Sequence, residues 1–124
     1  QYDKPMGKQI VVLSGRIIEC IVDIRKGLSS FGNKYIFECS AVSNKCFYVP
    51  VGFAHGFLSL EDNTEVLYKT TNYWDKESEL TLRWDDPLLS IEWPIQSLSK
   101  DIILSEKDKD GSLISNLDFK ILSL

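Results

Sequence analysis

Arg16-Ile-Ile-Glu-Cys-Ile-Val-Asp-Ile-Arg25 reads as a β-strand with two unlike faces. Along an extended chain, alternate side chains point to opposite sides. Ile18, Cys20, Val22 and Ile24 therefore share one face, and Ile17, Glu19, Ile21, Asp23 and Arg25 share the other. The first face is wholly apolar, whereas the second mixes aliphatic and acidic groups. Such a strand suits a barrel wall, packed on its oily side and free to carry a ligand site on the other.

Working outward, the pattern stays strand-like. Residues 9–13 form an apolar run closed by the turn signal Ser14-Gly15, and residues 27–33 form a loop after the strand at 16–25. Further strands are expected at 34–40 and 45–49, separated by a turn at Ser43-Asn44. Residues 57–60 and 64–71 read as a hairpin around Glu61-Asp-Asn63. Beyond Tyr73 the pattern is irregular, with Asp85-Asp86-Pro87 and Trp93-Pro94 as breakers and room for a short helix within 97–110. Short strands at regular spacing with little helix point to an all-β sandwich or barrel.

The 124 residues suffice for one domain with its own core, and 44% hydrophobic with 26% charged residues is ordinary for a globular chain. The net charge of −4 argues against a general nucleic-acid binder, which needs clustered Lys and Arg. No run is long and apolar enough to span a bilayer. Cys20, Cys39 and Cys46 form no CxxC pair and read as small buried hydrophobes in a reducing, cytoplasmic setting. One histidine cannot supply a multi-histidine metal cluster, so no metal or other cofactor is expected.

That histidine, His55, lies in Pro50-Val-Gly-Phe-Ala-His-Gly-Phe57, where two glycines allow a bend or a close ligand approach and two phenylalanines supply apolar walls. On composition alone a solitary histidine is more often structural than catalytic. Its surroundings favour a functional reading. Met6-Gly7-Lys8, Gly15, Val22-Asp-Ile-Arg25, Phe31-Gly32, the 50–57 stretch, Tyr68-Lys-Thr-Thr-Asn-Tyr73, Trp84-Asp-Asp-Pro87, Ile91-Glu-Trp-Pro94 and Leu104-Ser-Glu-Lys-Asp108 occur in order. Together they resemble the dTDP-4-dehydrorhamnose 3,5-epimerase family, from about the first residue to Asp108.

The resemblance implies a cupin jelly roll, homodimeric and metal-free, with an irregular, partly helical C-terminal segment. It implies inversion at C3 and C5 of dTDP-4-dehydro-6-deoxy-D-glucose. Protons alpha to the C4 ketone can be removed if the enolate is stabilised, and inversion needs a base on one ring face and a donor on the other. Tyr68 matches the family's proton donor, although an isolated tyrosine is more usually a core residue. Lys8 matches a lysine near the sugar carbonyl, where an ammonium offsets enolate charge; by charge alone it would be a solvated lysine. His55 matches a substrate-contacting histidine. Glu79 and Lys107 match further substrate contacts, although both lie in charged stretches where exposure is the default. Asp108 matches the aspartate that orients the base. Tyr73 and Trp74 are candidates to stack on the nucleotide base, with core packing the alternative.

Three departures from the pattern stand out. The family's base lies in an Arg-Gly-Leu-His segment just ahead of the positions matched by Gln1 and Tyr2, and this sequence begins at Gln1. The expectation is an N-terminally truncated record of a longer enzyme; the alternatives are a shortened inactive paralogue, or His55 acting as base. Without that segment, an exposed sheet edge is expected to favour poor folding or association. Glu19 stands where the family usually has Asp, and Met6 where it usually has Gln, which leaves open an altered sugar or inversion at one carbon. The rival reading from another class is a non-catalytic cupin module that binds a sugar nucleotide or glycan, needing neither a base nor Tyr68.

Overall fold

The computed structural model describes residues 1–98 and 101–117. Six strands carry the fold: β1 (Lys8–Ser14), β2 (Arg16–Asp23), β3 (Lys34–Ser40), β4 (Cys46–Val49), β5 (Phe53–Ser59) and β6 (Glu65–Thr70). They form two antiparallel three-stranded sheets, ordered β4-β1-β6 and β3-β2-β5. Successive strands mostly alternate between the sheets, so the turns at Gly15, at 41–45, at 50–52 and at 60–64 cross from one to the other. Gly15 has φ +77 and abuts Thr64, so a side chain there meets both a left-handed backbone and a steric clash. Asn44, at φ 52, is the left-handed residue that closes the turn before β4.

Register decides what faces the interior, because paired residues on neighbouring strands share a face. In one sheet Lys8, Ile10 and Val12 align with Val49 and Phe47 on one side, and with Thr70, Tyr68 and Val66 on the other. In the other sheet Ile17, Glu19 and Ile21 align with Cys39, Phe37 and Tyr35, and with Ser59, Phe57 and His55. The sheets meet through such residues: Phe37 and Phe47 pack edge to face at 5.1 Å. Ile10 and Ile17 are fully buried.

The opposite face of β2 is covered by the C-terminal segment. Cys20 and Val22 pack against Leu89 and Ile114, with Ile24, Phe31, Leu82, Ile91 and Trp93 around them. This segment has almost no regular structure, so its backbone groups need other partners. Buried Asp86 accepts N–H bonds from Leu88 (2.8 Å), Leu89 (3.3 Å) and Ile114 (2.6 Å). Lys34 Nζ donates to the carbonyls of Leu89 (2.6 Å) and Ser90 (2.7 Å). The Trp93 indole donates to the Trp84 carbonyl at 2.8 Å. The two-faced reading thus holds over β2, which ends at Asp23 and not at Arg25: its oily side packs against this segment, while Ile17 and Glu19 face the other sheet and Asp23 bonds Arg25 and Ser30.

Three expectations need correction. Residues 57–60 and 64–71 do not form a hairpin; β5 pairs with β2 and β6 with β1, in different sheets. β5 also starts at Phe53, so most of the glycine-flanked stretch is strand, with Gly56 paired to Cys20; only Gly52, at φ 85, sits in the bend. Of the cysteines only Cys20 is buried, while Cys39 is half-buried and Cys46 exposed. The short helix expected within 97–110 is α1 (Glu106–Lys109), capped by Ser105; residues 99 and 100 lie outside the described residues.

Candidate active site

The space between the sheets holds a continuous line of hydrogen-bonded side chains. On β2, Glu19 Oε1 lies 2.8 Å from His55 Nδ1 on β5, and His55 Nε2 lies 3.0 Å from Lys8 Nζ on β1. The neighbouring strand pair brings the carboxylate and imidazole together, and Lys8 closes the line from the facing sheet. The Glu19 side chain is fully buried and that of His55 is 11% exposed. Glu19 Oε2 is also buried and has no hydrogen-bond partner among the described residues. An ammonium has only donors, so a protonated Lys8 requires the lone pair of His55 at Nε2 and its N–H toward Glu19.

Tyr68 on β6 completes the cluster, its ring centroid 6.0 Å from that of His55 and 6.5 Å from that of Phe57. It is 38% exposed, which puts it at the mouth of the space and not in its floor. Electrostatics follow from this partial burial. Removal from water pushes the Tyr68 phenol well above its ordinary value, and the nearby Glu19 carboxylate pushes it the same way, so the ring keeps its proton. Burial lowers Lys8, the Lys107 charge lowers it further, and Glu79 and Glu19 oppose the shift. Burial raises Glu19, opposed by the His55 hydrogen bond and by Lys8.

The other sequence candidates fall into two groups. Glu79 and Lys107 pair at 2.7 Å and act electrostatically on Lys8, so they join the cluster despite lying in charged stretches. The Lys107 hydrogen bond holds the Glu79 carboxyl below its usual range. Tyr73 and Trp74 are 91% and 65% exposed, which rules out core packing. They lie on the rim, where the Gln1 amide bonds the Tyr73 carbonyl at 3.1 Å and the Asp75 N–H at 2.6 Å. Asp108 is bonded within its own helix turn, accepting from the Ser105 hydroxyl at 2.6 Å, and is not joined to His55 or Tyr68 by any hydrogen bond among the described residues.

Glu19 was expected only as a carboxylate reaching into the site where the family has Asp; its bond to His55 was not foreseen. The alternation of 16–25 had put it on the charge-bearing face; its partner, 36 positions away, was not visible. Among the described residues no group of His, Cys, Asp and Glu is arranged to hold a metal ion. The cluster pairs an amine, able as an ammonium to oppose negative charge on an oxygen, with a protonated phenol able to deliver a proton across the same space.

Comparison with known proteins agrees with this geometry. The chain matches the dTDP-4-dehydrorhamnose 3,5-epimerase family over residues 1–116. It is 37% identical over 118 residues to the dTDP-4-dehydrorhamnose 3,5-epimerase of Pseudomonas aeruginosa, covering 95% of this chain and 64% of the relative. The Methanothermobacter thermautotrophicus enzyme of the same name is 39% identical over 110 residues, covering 89% and 59%. A solved Legionella pneumophila dTDP-6-deoxy-D-glucose-3,5-epimerase, in complex with dTDP-4-keto-L-rhamnose, superposes with a TM-score of 0.87 at 37% identity, covering 94% of this chain and 61% of that one. ChmJ, a 3'-monoepimerase from Streptomyces bikiniensis in complex with dTDP-quinovose, gives 0.85 at 26% identity, covering 95% and 58%. The chain spans about three fifths of the length of these relatives. Two facing antiparallel sheets of jelly-roll type, with a Lys–His–Glu line between them, thus accompany a match along nearly the whole sequence: the chain belongs to the dTDP-4-dehydrorhamnose 3,5-epimerase family.

Proposed function

We propose that the protein epimerises dTDP-4-dehydro-6-deoxy-D-glucose at C3 and C5, as a cytoplasmic homodimer built from a single domain of this kind. The observation that carries the reading is the convergence of Lys8, His55 and Tyr68 from three strands on one space between the sheets. Lys8 opposes the negative charge that grows on the C4 oxygen when an alpha proton leaves. Tyr68, kept protonated by its surroundings, returns a proton to the ring. Glu79 and Lys107 hold the substrate near Lys8, and exposed Tyr73 and Trp74 stack on the thymine base. Both nitrogens of His55 are engaged, which speaks against a role as the base; it is assigned to contact the substrate. No described residue is assigned the base; Asp108 is assigned to orient it, which requires the carboxylate to leave Ser105.

Deuterium wash-in tests the proposal. In deuterated buffer the nucleotide 4-keto sugar is expected to gain deuterium at C3 and C5, read by NMR or mass spectrometry. Incorporation at one carbon would favour the single-carbon reading, which the similarity to a 3'-monoepimerase supports. Binding of the nucleotide sugar with no incorporation would favour the non-catalytic binding module.

A further inference from the structure

The geometry points to Glu19, His55 and Lys8 acting as a proton relay, in which the imidazole passes protons between a sealed carboxyl and the amine that faces the ketone. Glu19 is then a positioning and charge-setting residue, working through its two neighbours. Its catalytic use rests on the epimerase reading; the relay itself does not.

The line has two forms that satisfy the same distances of 2.8 and 3.0 Å. In one, ionised Glu19 accepts from Nδ1–H, and Nε2 accepts from the Lys8 ammonium. In the other, the Glu19 carboxyl donates to Nδ1, and Nε2–H donates to a neutral Lys8 amine. They differ by two proton shifts. One proton moves from Oε1 to Nδ1 and another from Nε2 to Nζ, converting a neutral pair into a carboxylate and an ammonium. No proton enters from or leaves to solvent, and His55 is neutral at both ends of the exchange.

The unpartnered Glu19 Oε2 distinguishes this line from a fixed ion pair. Half of a buried carboxylate with no donor is a costly arrangement, whereas the carbonyl-like oxygen of a neutral carboxyl tolerates it far better. This favours the neutral form as long as no negative charge lies beside Lys8. Burial pushes Glu19 up and Lys8 down, both in the same direction. Other charged or titratable groups act on the line: Lys107 and Glu79 on Lys8, while Tyr68 faces His55 and feels Glu19. Cys20 and Cys39 also sense Glu19 and keep their protons.

Negative charge appearing on a ketone oxygen beside Lys8 would draw the relay to its charged form. The ammonium would then be created next to the enolate, with the matching carboxylate at the far end of the line. An interaction that strengthens as charge develops lowers the barrier more than one already present with bound substrate.

The ring nitrogen signals of ¹⁵N-labelled protein provide the test, those of His55 being assigned by their loss in His55→Gln. At neutral pH, without ligand, the ring is expected to show both tautomers in exchange. Lys8→Met removes the cation that favours ionised Glu19, so it should collapse the ring to the Nε2–H tautomer alone, with the Glu19 carboxyl donating to Nδ1. A single unchanging ring form in the wild-type protein, identical to that of Lys8→Met, would overturn the relay. In turnover, Glu19→Gln, an isostere that cannot cycle a proton, should lower kcat on the order of 10²-fold with KM little changed. Glu19→Asp should recover most of it, and an unchanged kcat in Glu19→Gln would also overturn the proposal. If the ring shows both tautomers but no deuterium enters the sugar, the relay stands and the epimerase reading falls.

Discussion

His55 and Tyr68 face each other across the space between the sheets, one on β5 and the other on β6, with ring centroids 6.0 Å apart. No hydrogen bond joins them, so the phenol is free to point at whatever lies between. Tyr68→Phe keeps the ring and its packing against Phe57 while removing the proton. We expect nucleotide-sugar affinity within about twofold of wild type by calorimetry, and deuterium entry slowed on the order of 10²-fold or more. Equal losses of binding and exchange would assign the hydroxyl to substrate holding instead.

Asp23 anchors the loop after β2. Its carboxylate accepts from the Arg25 backbone N–H and guanidinium and from the Ser30 hydroxyl, while Arg25 lies 4.6 Å over the Phe53 ring. The Arg25 hydrogen bond, above all, holds the Asp23 carboxyl far below its usual range. A carboxyl depressed by folding stabilises the folded state above its unfolded value, near 4, and loses that contribution as pH falls. Asp23→Asn should therefore lower the melting temperature at pH 7, and its gap from wild type should narrow below about pH 4. A gap that is constant across this range would mean that the ionised form contributes nothing.

Asp86 ties the irregular C-terminal segment together with three backbone N–H bonds. Removing its carboxylate leaves buried donors without partners, and Asp86→Ala is expected to cost about 3 kcal/mol. For a chain of this size that is roughly 10 °C in melting temperature, measurable by calorimetry. A drop of only a degree or two would show that this segment contributes little to the folded barrel.

The cysteines should separate by reactivity. Burial, and then the Glu19 charge, push the Cys20 thiol up to about 11, while Cys46 is exposed. Alkylation at pH 8 followed by peptide mapping should find Cys46 modified first and Cys39 more slowly. Cys20 should react only in denaturant. Early labelling of Cys20 would mean that the C-terminal segment opens readily from β2.

Strand existence was legible from local pattern, and for β3 the bounds 34–40 were too. Pairing was not, because a turn such as Glu61-Asp-Asn63 looks the same whether its strands pair or part into different sheets. Gly56 misled for a related reason: it sits within an edge strand with open space beside it, where glycine imposes no bend. The site candidates Lys8, His55 and Tyr68 came from a resemblance and were brought together by register. Glu19 was placed on the correct face by alternation, yet its bond to His55 depends on strand neighbours that no local pattern encodes.

The crossing of the chain between sheets has a kinetic consequence. The two bonds of the Glu19–His55–Lys8 line span 36 and 47 residues, so neither forms until distant parts of the chain have been brought together. Such long loops are closed late and slowly, since their entropy is lost before any contact compensates. A nascent or partly collapsed chain can hold β2 against β3, but it carries no chemistry until β5 and β1 have docked. Acquisition of the Lys8–His55 bond therefore marks completion of the barrel, and a ligand of this site would act as a clamp on the whole fold.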